Sequence, residues 1–528
     1  MTTIRNPVLN GFHPDPSICR SGGDYYIACS TFEWFPGVSI HHSRDLVHWR
    51  LAARPLDRIS QLDMKGNMDS GGVWAPCLTH ADGKFWLIYT DVKTTRGGFK
   101  DCPNYLVTAP DIAGPWSDPI FLNSSGFDPS LFHDTDGRKW LVNMLNDHRI
   151  GRNRFAGILL QEYCPEEGKL VGPVTNIFQG TELGFTEGPH LYKHDGLYYL
   201  MTAEGGTGYD HAVTVCRSRE ITGPYELDPD NPMLTSRHNR DLELQKSGHA
   251  SLVKVGNDQW YLAHLCGRPI RGTGRCPLGR ETALQKVEWT DDGWLRLTGG
   301  GNEPLTEVPA PALPPSPWPA QDERDDFDNL ELASCFMTLR TPANESWLSL
   351  AARPGFLRLF GRQSLLSQHD QSLVARRADS LRYRAATLVE FEPTTHQQMA
   401  GLVVYYNTAN WAYLHISYDE RVGRCLRIGV MDNRRYDEPM ERDIALDEGP
   451  VQLAVRTDDE SLQFSFRPGK AENEKWTAVG PVLDAGKLSD EYVDGPAFTG
   501  TFIGLCCQDL TGSARPADFD WFEYLPQK

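Results

Sequence analysis

The 528-residue sequence contains no apolar run near the roughly 18 residues that a membrane-spanning helix needs, so a helical membrane protein is excluded and no membrane partner is expected. Its start, MTTIRNPVLNG, lacks the basic and apolar segments of a secretory leader, and a cytoplasmic protein is expected. Cysteine occurs 12 times but never as C-x-x-C, which argues against structural zinc and redox pairs. Adjacent Cys506 and Cys507 are poorly placed to bond each other, so the cysteines read as small, reduced core residues. Positive charge is short: 52 Lys and Arg stand against 70 Asp and Glu, a net −18 that speaks against nucleic acid. There is no G-x-S-x-G, no P-loop and no G-x-G-x-x-G after a strand. EGGTG at 204–208 lacks the strand-to-helix context of a phosphate cradle, although its Thr207 stays a candidate for a site.

What the sequence has is turns and short strands, with 48 glycines and 36 prolines. Five segments combine a Gly, Asp or Asn turn with paired aromatics or an aliphatic run: GGDYYIACS, DGKFWLIYT, DGRKWLVNM, DGLYYLMTA and NDQWYLAHL. Their first aliphatic residues are Ile27, Leu87, Leu141, Leu200 and Leu262, spaced by 60, 54, 59 and 62. A strand precedes each across the turn (PSICR, PCLTH, PSLFH, PHLYK, ASLVK), so each unit is a hairpin. Five such repeats without amphipathic helices between them predict an all-β fold led by a five-bladed β-propeller. A two-sheet sandwich would leave the period unexplained.

Thirteen residues before the last four anchors stand Trp74, Asp128, Glu187 and His249, and twelve before Ile27 stands Asp15. The innermost strand of a propeller blade starts near the central axis, so these five side chains are expected to converge at one end of it. Asp15, held between Pro14 and Pro16, alone would pass for a turn residue. Three converging carboxylates are electrostatically costly, and a shared register favours a functional site.

Glycoside hydrolysis needs one protonated and one ionised carboxyl, and a third nearby can raise the acid's pKa. Trp74 and Phe32 offer apolar faces to a sugar ring, whereas Trp34 and Phe35 of the same TFEWFPG segment read as ordinary blade packing. His249 without a second histidine nearby is weak evidence for a metal. No cofactor is expected to be required, and the acidic channel leaves room for a structural or activating calcium ion. Arg280 fits either a simple ion pair or a clamp on sugar hydroxyls or on Asp128.

After residue 300 the composition turns to GGGNEPLTEVPAPALPPSPWPAQDE. The expected domains are a propeller over 1–302, a Pro/Gly-rich extended linker over 303–322 and a β-sandwich over 323–528 that packs on the propeller. Alternating segments such as AGLVVYYNTANWAYLHISYDE and VQLAVRTDDESLQFSFRPG carry the sandwich assignment.

The motifs NPVLNGFHPDPSI, GGVWAPCL, GFDPSLF, TEGPHLY, SGHASLV and LGRETALQKVEW resemble glycoside hydrolase family 43, and within it the long β-xylosidases with a C-terminal, concanavalin-like sandwich. The resemblance implies an inverting exo-enzyme that releases xylose from the non-reducing end of β-1,4-xylo-oligosaccharides. It implies Asp15 as general base, Glu187 as general acid and Asp128 as the residue that tunes and orients the acid. Phe32, Trp74, His249 and Arg280 match sugar-pocket positions, with Thr207 beside them, and Phe498 of PAFTGTF matches an aromatic that reaches the pocket from the sandwich. The segment 267–282 is several residues shorter than the resemblance implies. Small xylo-oligosaccharides are the expected partners, and such relatives often form homo-oligomers, dimers or tetramers. Three alternatives stay open: an α-L-arabinofuranosidase or bifunctional enzyme, a retaining glycosidase with Asp15 as nucleophile, and a non-catalytic sugar-binding propeller.

Overall fold

The computed structural model describes residues 2–256, 258–471 and 474–527. Asn257, the first residue of the repeat segment NDQWYLAHL, lies outside the described residues. Among them there is no α-helix, only two three-residue 3-10 turns, Arg96–Gly98 and Ala485–Lys487. The chain forms two compact units: 1–32, 36–268 and 280–318 in the first, and 33–35, 269–279 and 319–528 in the second.

Five antiparallel meanders of the first unit are the blades. Their innermost strands are Ser17–Ser21, Gly72–Ala81, Ser130–His133, Glu187–His194 and Gln245–Val255. Every anchor of the repeat pairs with an aliphatic residue of its inner strand: Ile18 with Ile27, Leu78 with Leu87, Leu131 with Leu141, Leu191 with Leu200 and Leu252 with Leu262. These residues pack between blades. Leu131 and Leu141 join Trp86 and Ile88, while Leu252 and Leu262 join Tyr199 and Met201. Full burial of each such side chain contributes roughly 2 kcal/mol.

Three residues before each inner-strand partner, the backbone turns left-handed: Asp15 (φ 55°), Ala75 (32°), Asp128 (54°), Gly188 (57°) and His249 (44°). This corrects the equivalence expected from counting. Paired anchors lie nine residues apart in blades one, two and four, but ten apart in three and five. Counting back from the second strand therefore misses by one residue, and Trp74 and Glu187 sit one position ahead of the left-handed residue of their blades. A positive φ costs a non-glycine residue roughly 1 kcal/mol, least for Asp. Ladder irregularities follow at Trp74/Cys77, Glu187/His190 and Gly248/Ala250, and bulges of this kind re-aim side chains at sites.

The residue two places after the left-handed position stitches blades together. Ser17 Oγ accepts from Leu78 N (3.0 Å) and Ser130 Oγ donates to Pro189 O (2.6 Å). Ser251 Oγ accepts from Ile18 N (2.9 Å) and donates to Pro16 O (2.8 Å), joining the fifth blade to the first. The two ends of the unit meet where Thr3–Arg5 pairs with Glu307–Pro309. The proline-rich segment continues along blade one, with Ser316 N on Asp45 Oδ2 (2.8 Å) and the Arg50 guanidinium 3.8 Å from the Trp318 ring centroid.

The second unit is two antiparallel sheets over one core that includes Trp347, Leu402, Leu414, Phe464 and Phe519. Its larger sheet takes in Trp34–Phe35, paired with Met337–Leu339. Trp34 stacks on Phe502 (3.7 Å between centroids, 13°) and meets Tyr405 edge-on. Trp34 and Phe35 are thus sandwich residues, against the expectation of blade packing. Their apolar side chains are expected to be buried, but the sequence does not indicate which unit buries them. The segment 269–279 is also held here, by Cys276 N on Glu491 Oε2 (2.8 Å), Thr501 N on Pro277 O (2.8 Å) and an Arg275–Asp484 pair (2.9 Å).

Candidate active site

Asp15, Asp128 and Glu187 are all buried, at 6%, 7% and 7% exposure, so their charges are governed by protein neighbours. Asp15 Oδ1 meets Arg280 Nη1 at 3.1 Å and His249 Nδ1 at 3.9 Å, and its Oδ2 accepts from Ser30 Oγ at 2.6 Å. Ser30 also accepts from Ala75 N (2.7 Å), which ties the base of the Asp15 turn to the left-handed residue of blade two. Burial raises the Asp15 pKa, but Arg280, His249 and the Ser30 hydroxyl outweigh it and hold the carboxyl below its ordinary value.

Glu187 has the opposite environment. Burial is the largest influence and the nearby Asp15 charge adds to it, so that even against Lys100 and Arg280 its pKa is pushed up to about 7. Asp128 is raised well above the carboxylate range by burial and by the charges of Glu187 and Asp15. Its Oδ2 accepts from Gly188 N (3.0 Å), so Asp128 grips the backbone directly after Glu187. One carboxyl kept ionised and another kept protonated is the combination glycoside hydrolysis requires.

The apolar wall is continuous. Phe32 lies 5.6 Å from Phe12 and 5.9 Å from Trp74, and Trp74 meets Phe127 edge-on at 5.3 Å. Trp74 Nε1 donates to Ser70 O (2.8 Å), which fixes the indole. The Lys100 ammonium sits 4.2 Å from the Phe127 centroid and 5.7 Å from that of Trp74. The Arg280 guanidinium lies 5.3 Å from the Phe32 centroid. Burial lowers the pKa of His249 and favours a neutral imidazole, against the pull of Asp15.

The structure thus brings together Asp15, Phe32, Trp74, Asp128, Glu187, His249 and Arg280. Of the options open for Arg280, it pairs with Asp15 and not with Asp128. Thr207 is half-buried in the turn after the second strand of blade four, without a hydrogen bond to the carboxylates. Phe498 is half-buried in the second unit. Ser30, Lys100 and Phe127 were missed by sequence reasoning. Phe127 adjoins Asp128 and was open to inference from that, whereas Ser30 and Lys100 carry no spacing signal. Among the described residues no group of three or more His, Cys, Asp or Glu could hold a metal ion.

Comparison with known proteins gives the class. Residues 4–295 match glycosyl hydrolases family 43, and residues 324–525 match the beta xylosidase C-terminal concanavalin A-like domain. The chain belongs to glycoside hydrolase family 43, whose members need no cofactor for hydrolysis. It is similar to the crystal structure of xylan beta-1,4-xylosidase from Bacillus halodurans C-125, with 58% identity and a TM-score of 0.97 over 99% of this chain and 100% of that one. A beta-xylosidase of Bacillus subtilis (strain 168) is 53% identical over 99% of both chains. Xylosidase/arabinosidase 43B of Humicola insolens is 50% identical over 100% of this chain and 98% of its own.

Proposed function

We propose that this chain is an inverting, exo-acting β-xylosidase that removes xylose from the non-reducing end of β-1,4-xylo-oligosaccharides. The observation that carries the reading is the opposed setting of two buried carboxyls: Asp15 paired with Arg280 and Ser30, and Glu187 pushed up to about 7 by burial and the Asp15 charge. In the proposed step Asp15 takes a proton from water as that water attacks the anomeric carbon. Glu187 gives its proton to the glycosidic oxygen, which leaves as the hydroxyl of the shortened oligosaccharide. Burial and the Asp15 charge keep Glu187 protonated, and Asp128 keeps it in place through the Gly188 amide. Phe32 and Trp74 face the sugar ring, with His249 and Arg280 beside its hydroxyls.

The similarity to beta-xylosidases over the full chain supports xylose as the glycone. The 50% identity to a xylosidase/arabinosidase favours a second activity on α-L-arabinofuranosides. Parallel kcat/KM measurements on xylobiose, nitrophenyl β-xyloside and nitrophenyl α-arabinofuranoside test the proposal. Preference for both xylosides supports it, and preference for the arabinoside replaces it with the second reading. Binding of xylobiose without turnover would refute the enzymatic role.

A further inference from the structure

Glu204 ends the second strand of blade four, Leu197–Glu204, and is completely buried. Its neighbours are hydroxyls and a peptide N–H in place of a cation. Oε1 accepts from Thr181 N (2.7 Å) and Thr186 Oγ1 (2.7 Å), while Oε2 accepts from Thr181 Oγ1 (2.6 Å) and Thr214 Oγ1 (2.7 Å). Four donors fill the lone-pair positions of one carboxylate. Burying a carboxylate without a cation is costly, and a neutral side chain would close a loop with less penalty.

What this carboxylate holds is the approach to Glu187. Thr186 immediately precedes Glu187, and Glu187 itself pairs across the ladder with Ala203, the residue before Glu204. On the far side, Gly188 N is held by Asp128. The backbone of Glu187 is therefore fixed at three consecutive residues. The lead-in loop is pressed onto the same carboxylate: a Cβ at Gly180 would lie 1.9 Å from Thr186 Oγ1 and 3.0 Å from Glu204 Oε1, at a φ of +85°. Gly205 N then bonds Gly184 O (2.8 Å), closing the loop on the strand that Glu204 ends.

We propose that Glu204 is a positioning residue for the general acid, acting through the Thr186 hydroxyl to aim Glu187 at the leaving oxygen. The inference rests on Glu187 being that acid. Displacing a reacting group by about 1 Å costs on the order of 100-fold in rate, and an acid is needed most when the leaving group is poor. The test compares Glu204→Gln, Thr186→Val and Thr186→Ser with wild type on xylobiose and on 2,4-dinitrophenyl β-xyloside, whose phenolate leaves without protonation. Glu204→Gln and Thr186→Val should each lose roughly 100-fold in kcat on xylobiose, with KM nearly constant, and less than about 5-fold on the dinitrophenyl substrate. Thr186→Ser, which restores the hydroxyl, should return xylobiose turnover to near wild type. Equal losses on both substrates, or losses confined to KM, would overturn the proposal. If Glu204→Gln yields no folded protein, Thr186→Val alone decides by the same criteria. Glu187→Gln, measured alongside, separates the two readings. If it shows the leaving-group split and the Glu204 and Thr186 variants do not, only the positioning role falls; if it lacks the split, the acid assignment falls with it.

Discussion

Replacing Glu187 by Gln should make the protein more stable at alkaline pH while removing most of its activity. An exposed glutamate has an ordinary pKa of 4.5, and in the folded protein the Glu187 carboxyl is pushed up to about 7, chiefly by burial. The folded state therefore holds this proton more tightly than the unfolded chain. The associated stability is fully present below pH 4.5 and is lost as pH rises through 7. At about 1.4 kcal/mol per pH unit, the full effect is about 3 kcal/mol, of which about 2 kcal/mol falls between pH 5 and pH 8. Glutamine neither ionises nor carries that cost. Removing the charge also lets Asp128 ionise with less resistance, since Glu187 is one cause of its raised pKa. It also removes a partner that favours the charged form of Lys100, which offsets part of the gain. Thermal unfolding of wild type and Glu187→Gln at pH 5 and pH 8 reads the difference. The variant should gain roughly 2–4 °C on wild type at pH 8 relative to its position at pH 5. Turnover of xylobiose should fall by about 100- to 10,000-fold. A stability difference that does not change with pH would show that Glu187 is not held protonated in the fold, and the acid assignment would lose its physical basis.

Three further outcomes follow from the same contacts. Arg280→Gln removes the cation that lowers the Asp15 pKa, so the acidic limb of the kcat/KM profile should move to higher pH; an unmoved limb would disconnect Asp15 from that ionisation. Ser251→Ala removes the two hydrogen bonds that this hydroxyl makes from blade five to blade one and leaves Ile18 N buried without its acceptor, which should cost about 1–3 kcal/mol in urea unfolding while KM stays constant. Exhaustive dialysis against EDTA should leave kcat/KM within about twofold, since neither proton transfer in the proposed step uses a metal; a loss restored by calcium would place a cation in the working enzyme.

The propeller was legible because its repeat is a packing rule. One aliphatic residue per blade must fill the space between sheets, and each of Ile27, Leu87, Leu141, Leu200 and Leu262 pairs with another aliphatic across its hairpin. Carboxylates placed just before those strands had to share an axis. The one-residue error at Trp74 and Glu187 came from turn length, which spacing along the chain does not resolve. Ser30, Lys100 and Glu204 were not legible, since each reaches its partners through tertiary contacts of blades or loops that no motif marks. The membership of Trp34, Phe35 and 269–279 in the second unit was hidden for a related reason: hydrophobic patterning says that a side chain is buried, not against which sheet.

In the proposed mechanism Asp15 activates water for direct displacement at the anomeric carbon. The most direct measurement is proton NMR of the first xylose released from xylobiose by wild type and by Asp15→Ala, each with and without azide, recorded before mutarotation. Wild type should release α-xylose first, and Asp15→Ala should release no xylose without azide. Initial release of β-xylose would mean retention of configuration, make Asp15 a nucleophile, and contradict the mechanism.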